Sequence, residues 1–295
     1  MFKGVWPAII TPFTTDGKID FKALETIIDK QIEIGVDGLV LCGTTAEVPS
    51  LTDEDRDSLL KHATQYINKR VKIIMGAATN STPGTLQKIE HAMTFNPDGL
   101  LVVTPYYNKP NPSGLIEHFK QAAKFNCPII LYHIPGRTGL KVPIPVFEKL
   151  FEEVPMIKGV KESDYDFAHV TEMAVKFGDK IDYICGNDDV LPEFLALNSP
   201  AIITAAGNVV SPAFVKMFKE FNEGKTKESF ETFKKAHEVI KACYLETNPV
   251  CSKYILSKLG ICGETARLPL GEISAENKKK IDAILKDCDK SLIIS

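Results

Sequence analysis

Short runs rich in Val, Ile and Leu recur along this chain, each followed by a polar turn and then a longer stretch whose apolar positions return at helical spacing. Such alternation predicts strand-helix units arranged around a parallel sheet. In order, the runs are WPAIITP (6–12), GLVLCGT (38–44), VKIIMGAA (71–78), GLLVVTP (99–105), PIILYHI (128–134), IKGVKES (157–163), IDYICGND (181–188) and AIITAAGN (201–208). Eight units in about 220 residues, roughly 20 to 33 apart, match a closed (β/α)8 barrel (a TIM barrel) better than an open doubly wound sheet, which rarely repeats so evenly. Between the runs lie helix signals. SLTDEDRDSLLKHATQYI has Thr52 as N-cap and acidic residues in its first turn, and TPGTLQKIEHAM has Pro83 near its start. Past residue 223 the pattern becomes wholly helical, with ESFETFKKAHEVIKACYLE and SAENKKKIDAILKDC as its amphipathic pieces. The expected organisation is a catalytic barrel over residues 1–223 and a C-terminal helical region, 224–295, packed on it without a linker.

Composition narrows the function classes. With 295 residues, 44% of them hydrophobic, the chain can bury a large core. A net charge of −3, with lysines scattered among acidic neighbours, argues against a nucleic-acid partner. MFKGVWPAIITPF has neither a long apolar core nor a cleavage site, and no run approaches the roughly 18 apolar residues of a membrane span, so a cytoplasmic protein without a membrane partner is expected. Seven cysteines lack paired C-x-x-C spacing, and Cys42, Cys127 and Cys185 sit in apolar runs as small core residues do, so neither disulfides nor a metal site is expected.

In such a barrel, chemistry is done at the C-terminal ends of the strands. That filter keeps Thr44 and Thr45 after the second run, Tyr106 and Tyr107 after the fourth, Tyr132 and Arg137 at the fifth, Lys161 on the sixth, and Asn187 and Asp188 after the seventh. Lys161 is the most informative, because an ammonium drawn into a barrel costs several kcal/mol unless it is compensated or loses its proton. Desolvation favours the neutral amine, the nucleophile that forms a Schiff base with a carbonyl. Alternatively, Lys161 reaches the rim or pairs with Glu162 or Asp164. Lys158, at the start of the same run, belongs in water. Tyr132 is either a core aromatic or the proton carrier that imine formation needs. Arg137, in a Pro-Gly loop, is either solvated or a fork for a substrate carboxylate. GTTAE (43–47) offers hydroxyls and turn amides to a small carboxylate, or is ordinary turn chemistry. In GNDD (186–189), Asp188 or Asp189 can simply cap the following helix.

Taken together and in order, GTTAE, VTPYYNKP, LYHIPGRT, GVKES and NPVCSKYILSKLG resemble the dihydrodipicolinate synthase branch of the class I aldolase-like lyases, the superfamily that includes the N-acetylneuraminate lyases. The resemblance runs nearly end to end. Its most specific part is Tyr-x-x-Pro-x-Arg-Thr followed by the strand-six lysine, at the spacing from Tyr132 to Lys161. It implies condensation of pyruvate with L-aspartate 4-semialdehyde in the diaminopimelate route to lysine, through an imine on Lys161 and with no cofactor or metal. It also implies a proton relay of Tyr132, Thr44 and Tyr107, the last reaching in from a neighbouring subunit. Thr45 would bind the pyruvate carboxylate, Ile203 and Gly186 would contribute to the substrate pocket, and Arg137 would hold the semialdehyde carboxylate. The implied assembly is a homotetramer, a dimer of dimers.

Ala46, Val48 and His133 depart from the residues usual at these places. In members regulated by lysine, the positions of Arg56 and Gly84 carry a His and a Glu; Asn80 and Tyr106 match, but Arg56 would repel a cation and Gly84 offers no carboxylate. Weak or absent inhibition by lysine is therefore expected. Two other functions remain open from the sequence: another pyruvate-dependent aldolase acting on a sialic acid or 2-keto-3-deoxy sugar acid, against which Arg137 speaks, and a non-catalytic barrel used for binding.

Overall fold

The computed structural model describes residues 1–295. Eight strands form one sheet: β1 (Gly4–Pro7), β2 (Gly38–Leu41), β3 (Lys72–Gly76), β4 (Gly99–Val103), β5 (Ile129–His133), β6 (Ile157–Glu162), β7 (Asp182–Cys185) and β8 (Ala201–Thr204). The order across the sheet is β1-β8-β7-β6-β5-β4-β3-β2. The two ends of that order meet, since Ala8 bridges Val40 in parallel and the Ile9 N–H donates to the Val40 carbonyl at 3.0 Å. The result is a TIM barrel, the architecture expected from the even spacing of the apolar runs. β4 and β5 are buried almost throughout, as strands covered on both faces must be.

The first strand differs from the expected span of 6–12. β1 ends at Pro7, and after the Ile9 bond to Val40 the backbone leaves the ladder. The Ile10 N–H goes to the Asn208 side chain at 3.1 Å. Proline at 7 and 12 removes two donors that a longer strand would need.

Twelve helices follow the strands: α1 (Phe21–Ile34), α2 (Asp53–Ile67), α3 (Thr82–Met93), α4 (Pro112–Ala123), α5 (Pro135–Thr138), α6 (Ile144–Glu153), α7 (Phe167–Phe177), α8 (Leu191–Ala196), α9 (Gly207–Asn222), α10 (Thr226–Ala242), α11 (Val250–Lys258) and α12 (Ala275–Asp287). Thr52 caps α2 as expected. Its hydroxyl accepts from the Asp55 N–H and the Asp55 carboxylate accepts from the Thr52 N–H, both at 3.0 Å, a complete capping box. The Arg267 guanidinium forks onto the same carboxylate and is the main cause of its pKa falling to about 2. α9 bends at Val210, whose φ of −112° and ψ of 20° leave the helical region just ahead of Pro212. No helix is long and apolar enough to cross a membrane.

Two sets of residues are each compact. Met1–Lys3 with Ile73–Ile203 contains β4 to β7, most of β3 and β8, and α3 to α8. Gly4–Lys72 with Thr204–Ser295 contains β1, β2, α1, α2 and α9 to α12; within it α10 packs on α9 and α12, and α11 on α9.

Candidate active site

Parallel pairing of β5 and β6 places Tyr132 opposite Lys161 and His133 opposite Glu162. Side chains alternate along a strand, so the first pair shares one face of the sheet and the second pair the other. Lys161 is 7% exposed, and its Nζ lies 4.3 Å from the centroid of the Tyr132 ring. Both residues that could have neutralised it are engaged elsewhere. The Glu162 carboxylate takes His133 Nδ1 at 2.8 Å, and Asp164 pairs with Lys141 at 3.1 Å. Lys161 therefore has no carboxylate partner, and the π face of Tyr132 is its nearest electrostatic support. Lys158 is exposed, as a strand-entrance charge should be. The Tyr132 hydroxyl bonds to nothing in the chain and is free for a ligand.

Arg137 stands in α5, a single turn after β5 closed by Gly139 with a φ of 66°. It is exposed, and its side chain makes no ion pair or hydrogen bond within the chain. Tyr107, after β4, has a left-handed backbone (φ 71°) and is 87% exposed, whereas Tyr106 is 37% exposed. Such an open aromatic on a strained backbone is costly without a role. After β7, the Gly186 N–H donates to the Glu162 carbonyl at 2.8 Å, and a Cβ at this position would lie 2.6 Å from that same oxygen. Only glycine lets the chain pass here. Ile203, on β8, is fully buried. Asp189 is not a helix cap: its carboxylate accepts from the Tyr165 hydroxyl at 3.0 Å, and Asp188 is buried in the turn before α8, which makes no side-chain cap.

Within the other compact set, the residues after β2 form a 3-10 turn, Thr44–Ala46, flanked by Cys42 (φ 54°) and Glu47 (φ 56°) in left-handed conformation. The Ala46 and Glu47 amides are spent on the Gly43 and Thr44 carbonyls, so of the amides expected to grip a carboxylate those of Gly43, Thr44 and Thr45 stay open. Thr45 is buried, and its hydroxyl oxygen accepts from the Asn248 amide at 3.0 Å. An acceptor role toward Asn248 leaves the Thr45 proton to be donated elsewhere. Glu47 forms a fully buried ion pair with Lys253 of α11 and also accepts from the Arg267 N–H at 2.9 Å.

Sequence reading misses Asn248, the Glu47–Lys253 pair and the His133–Glu162 pair. Lys253, in VCSKYIL, carries the same signal as Lys161, a lysine inside an apolar run. Nothing in the run itself says that one has a carboxylate waiting and the other has none. Partners separated by some 200 residues are visible only in the fold.

Residues 1–288 match the family model described as the dihydrodipicolinate synthetase family. The 4-hydroxy-tetrahydrodipicolinate synthase of Methanocaldococcus jannaschii is 38% identical over 288 residues, covering 97% of this chain and 99% of the relative. The crystal structure of dihydrodipicolinate synthase from Aquifex aeolicus superimposes with a TM-score of 0.93 at 35% identity, over 97% of each chain. That of Acinetobacter baumannii, solved with pyruvate, gives 0.93 at 29% identity over 97% of this chain and 99% of its own. A match of this length, on a TIM barrel with a buried unpaired lysine at the end of β6, places the chain in the dihydrodipicolinate synthetase family of lyases.

Proposed function

We propose that this chain condenses pyruvate with L-aspartate 4-semialdehyde, as a 4-hydroxy-tetrahydrodipicolinate synthase with Lys161 as its nucleophile. One observation carries the reading: a lysine 7% exposed, without a carboxylate partner, against the ring of a tyrosine whose hydroxyl is free. The Lys161 amine adds to the keto carbon of pyruvate, and loss of water from the carbinolamine leaves an imine. Tyr132 carries protons for these steps in a relay with Thr44 and with Tyr107 of a neighbouring subunit, in a homotetramer built as a dimer of dimers. Tyr107 is open enough to make that reach. Thr45, its oxygen held by Asn248, donates its proton to the pyruvate carboxylate. Loss of a methyl proton converts the imine to an enamine, whose carbon attacks the semialdehyde aldehyde. Arg137 holds the carboxylate of that second substrate, and Gly186 and Ile203 shape the pocket. Closure through the substrate amine then displaces Lys161. The imine is itself the electron sink, so the scheme calls for no cofactor.

Treatment with pyruvate and borohydride tests the reading. A reduced pyruvyl group should be found on Lys161, and aspartate semialdehyde should be consumed in preference to N-acetylmannosamine or a sugar aldehyde. A sugar preference would keep the imine chemistry and reassign the substrate; absence of any adduct would end the enzymatic reading. Arg137→Ala should leave pyruvate trapping intact and raise the KM for the semialdehyde about 10- to 100-fold, the worth of a charge-assisted hydrogen bond.

Inhibition by L-lysine is expected to be weak or absent. Arg56 is buried, and burial lowers its pKa. At Gly84, an added Cβ would meet Thr79 Oγ1 at 2.7 Å and Ser81 Oγ at 3.0 Å, the latter being the cap of α3, so no side chain is welcome there. An inhibition constant below millimolar in steady-state assays would contradict this.

A further inference from the structure

The pair behind Tyr132 and Lys161 is built as carefully as the pair in front. His133 and Glu162 are both fully buried, and a buried carboxylate persists only with donors around it. His133 Nδ1 lies 2.8 and 3.0 Å from the two Glu162 oxygens, and the Asp164 N–H adds a bond to Oε1 at 2.8 Å. On the other side of the ring, the Val142 N–H donates to His133 Nε2 at 3.1 Å. An N–H pointing at Nε2 needs a lone pair there, which puts the imidazole proton on Nδ1, aimed at Glu162. One ring thereby serves two segments. Glu162 adjoins Lys161 in β6, and Val142 ends the loop that carries Arg137. The start of that loop is closed on β5, since the Arg137 and Thr138 N–H groups both donate to the Ile134 carbonyl at 3.0 Å. Its far end rests on His133 and on the Lys141 pairs with Asp164 and Asp166. Arg137 has no side-chain partner of its own, so its aim depends on how the loop is held.

We propose that His133 is the positioning residue that sets the two halves of the site in register, its Nδ1–H holding the β6 end beside Lys161 and its Nε2 holding the Arg137 loop through Val142. This rests on the reading of Lys161 as nucleophile and Arg137 as semialdehyde ligand. A cation held by His133, Glu162 and His169 is the competing use of the same cluster, since their ligand atoms lie within 4.8 Å of one another and His169 Nε2 is buried without a partner. The Val142 bond opposes it. A metal on Nδ1 would move the ring proton to Nε2, where it would face the Val142 N–H donor to donor.

Two substitutions separate the arms. In His133→Asn the amide can occupy the Nδ1 position but falls short of Val142; in His133→Gln it can reach Val142 but abandons Glu162. His133→Asn should raise the KM for the semialdehyde about fivefold to tenfold, the worth of one hydrogen bond, with the rate of pyruvate trapping by borohydride within about twofold of wild type. His133→Gln should slow trapping by a similar factor and move the semialdehyde KM less. Equal changes in both quantities for both variants, or none in either, would reduce His133 to a structural residue and overturn the assignment. If His133→Gln, which strips a donor from a buried carboxylate, does not fold, the split in His133→Asn decides alone. One equivalent of metal in the purified protein, lost together with thermal stability on chelation, would replace the proposal with the cation site. Arg137→Ala run alongside identifies the source of a failure. If it raises the semialdehyde KM and His133→Asn does not, the coupling is wrong; if it does not raise it, the Arg137 reading is wrong and the His133 assignment falls with it.

Discussion

Lys161→Ala is expected to abolish the borohydride-trapped adduct and to lower kcat/KM by about 10⁴-fold or more, the scale on which loss of a catalytic nucleophile is felt. The same substitution should leave the thermal midpoint unchanged or raised. That second expectation follows from the surroundings. Glu162 and Asp164 are committed to His133 and Lys141, so no carboxylate is orphaned when the ammonium goes. Removing a buried polar group that no carboxylate pairs relieves the cost of its desolvation, against which stands the small cavity left by the lysine stem. A structural lysine would behave in the opposite way, destabilising the fold while sparing chemistry. Lys161→Arg sharpens the contrast, because a guanidinium keeps the charge but cannot form the imine. Circular dichroism melts and single-turnover trapping on the two variants measure both halves of the expectation. Activity above about a tenth of wild type in either variant would reject Lys161 as the nucleophile.

How much of this was legible beforehand depends on how local each signal is. The parallel strands show in the sequence because strands covered on both faces are apolar runs whatever their neighbours. Thr52 shows because its partner, Asp55, is three residues away. Lys161 shows because it breaks a pattern, and its resemblance to a family motif then supplies a role. α11 escapes the amphipathic test for the converse reason: Val250 through Leu256 are buried in one continuous run, so no polar face marks the helix. The length of β1 is overread because apolar content alone does not reveal that Ile10 will spend its N–H on Asn208. His133 is a residue that sequence comparison can only flag as unusual. Its meaning lies in a tautomer set by Val142 from one side and Glu162 from the other, and the strand register that brings Glu162 there is a property of the sheet. Asn248 and Lys253 are the furthest from legibility, since each supports a turn some 200 residues earlier in the chain.

Lys253→Met should be among the most damaging substitutions away from the reacting atoms. The wild-type ammonium is fully buried, paired with Glu47, bonded to the Thr265 carbonyl at 2.8 Å and placed 4.1 Å from the centre of the Phe13 ring. Burial pushes its pKa down, and the Glu47 carboxylate works against that shift. Methionine fills most of the same volume but leaves Glu47 with the Arg267 N–H as its remaining donor. Breaking a buried pair in this way costs about 3 to 5 kcal/mol, which for a domain of this size is roughly a 10 °C fall in thermal midpoint. Glu47 sits at the end of the Thr44–Ala46 turn in a left-handed conformation that the ion pair helps to hold. Loosening it should therefore also raise the KM for pyruvate, through Thr45, while the rate of imine trapping at saturating pyruvate changes less. The double substitution Glu47→Gln with Lys253→Met removes both charges and should recover most of the lost stability, with a coupling energy of about 2 kcal/mol or more in a double-mutant cycle. Additive losses would mean that the two charges do not support each other, and that the turn bearing Thr44 and Thr45 is held by its own backbone bonds and by Asn248.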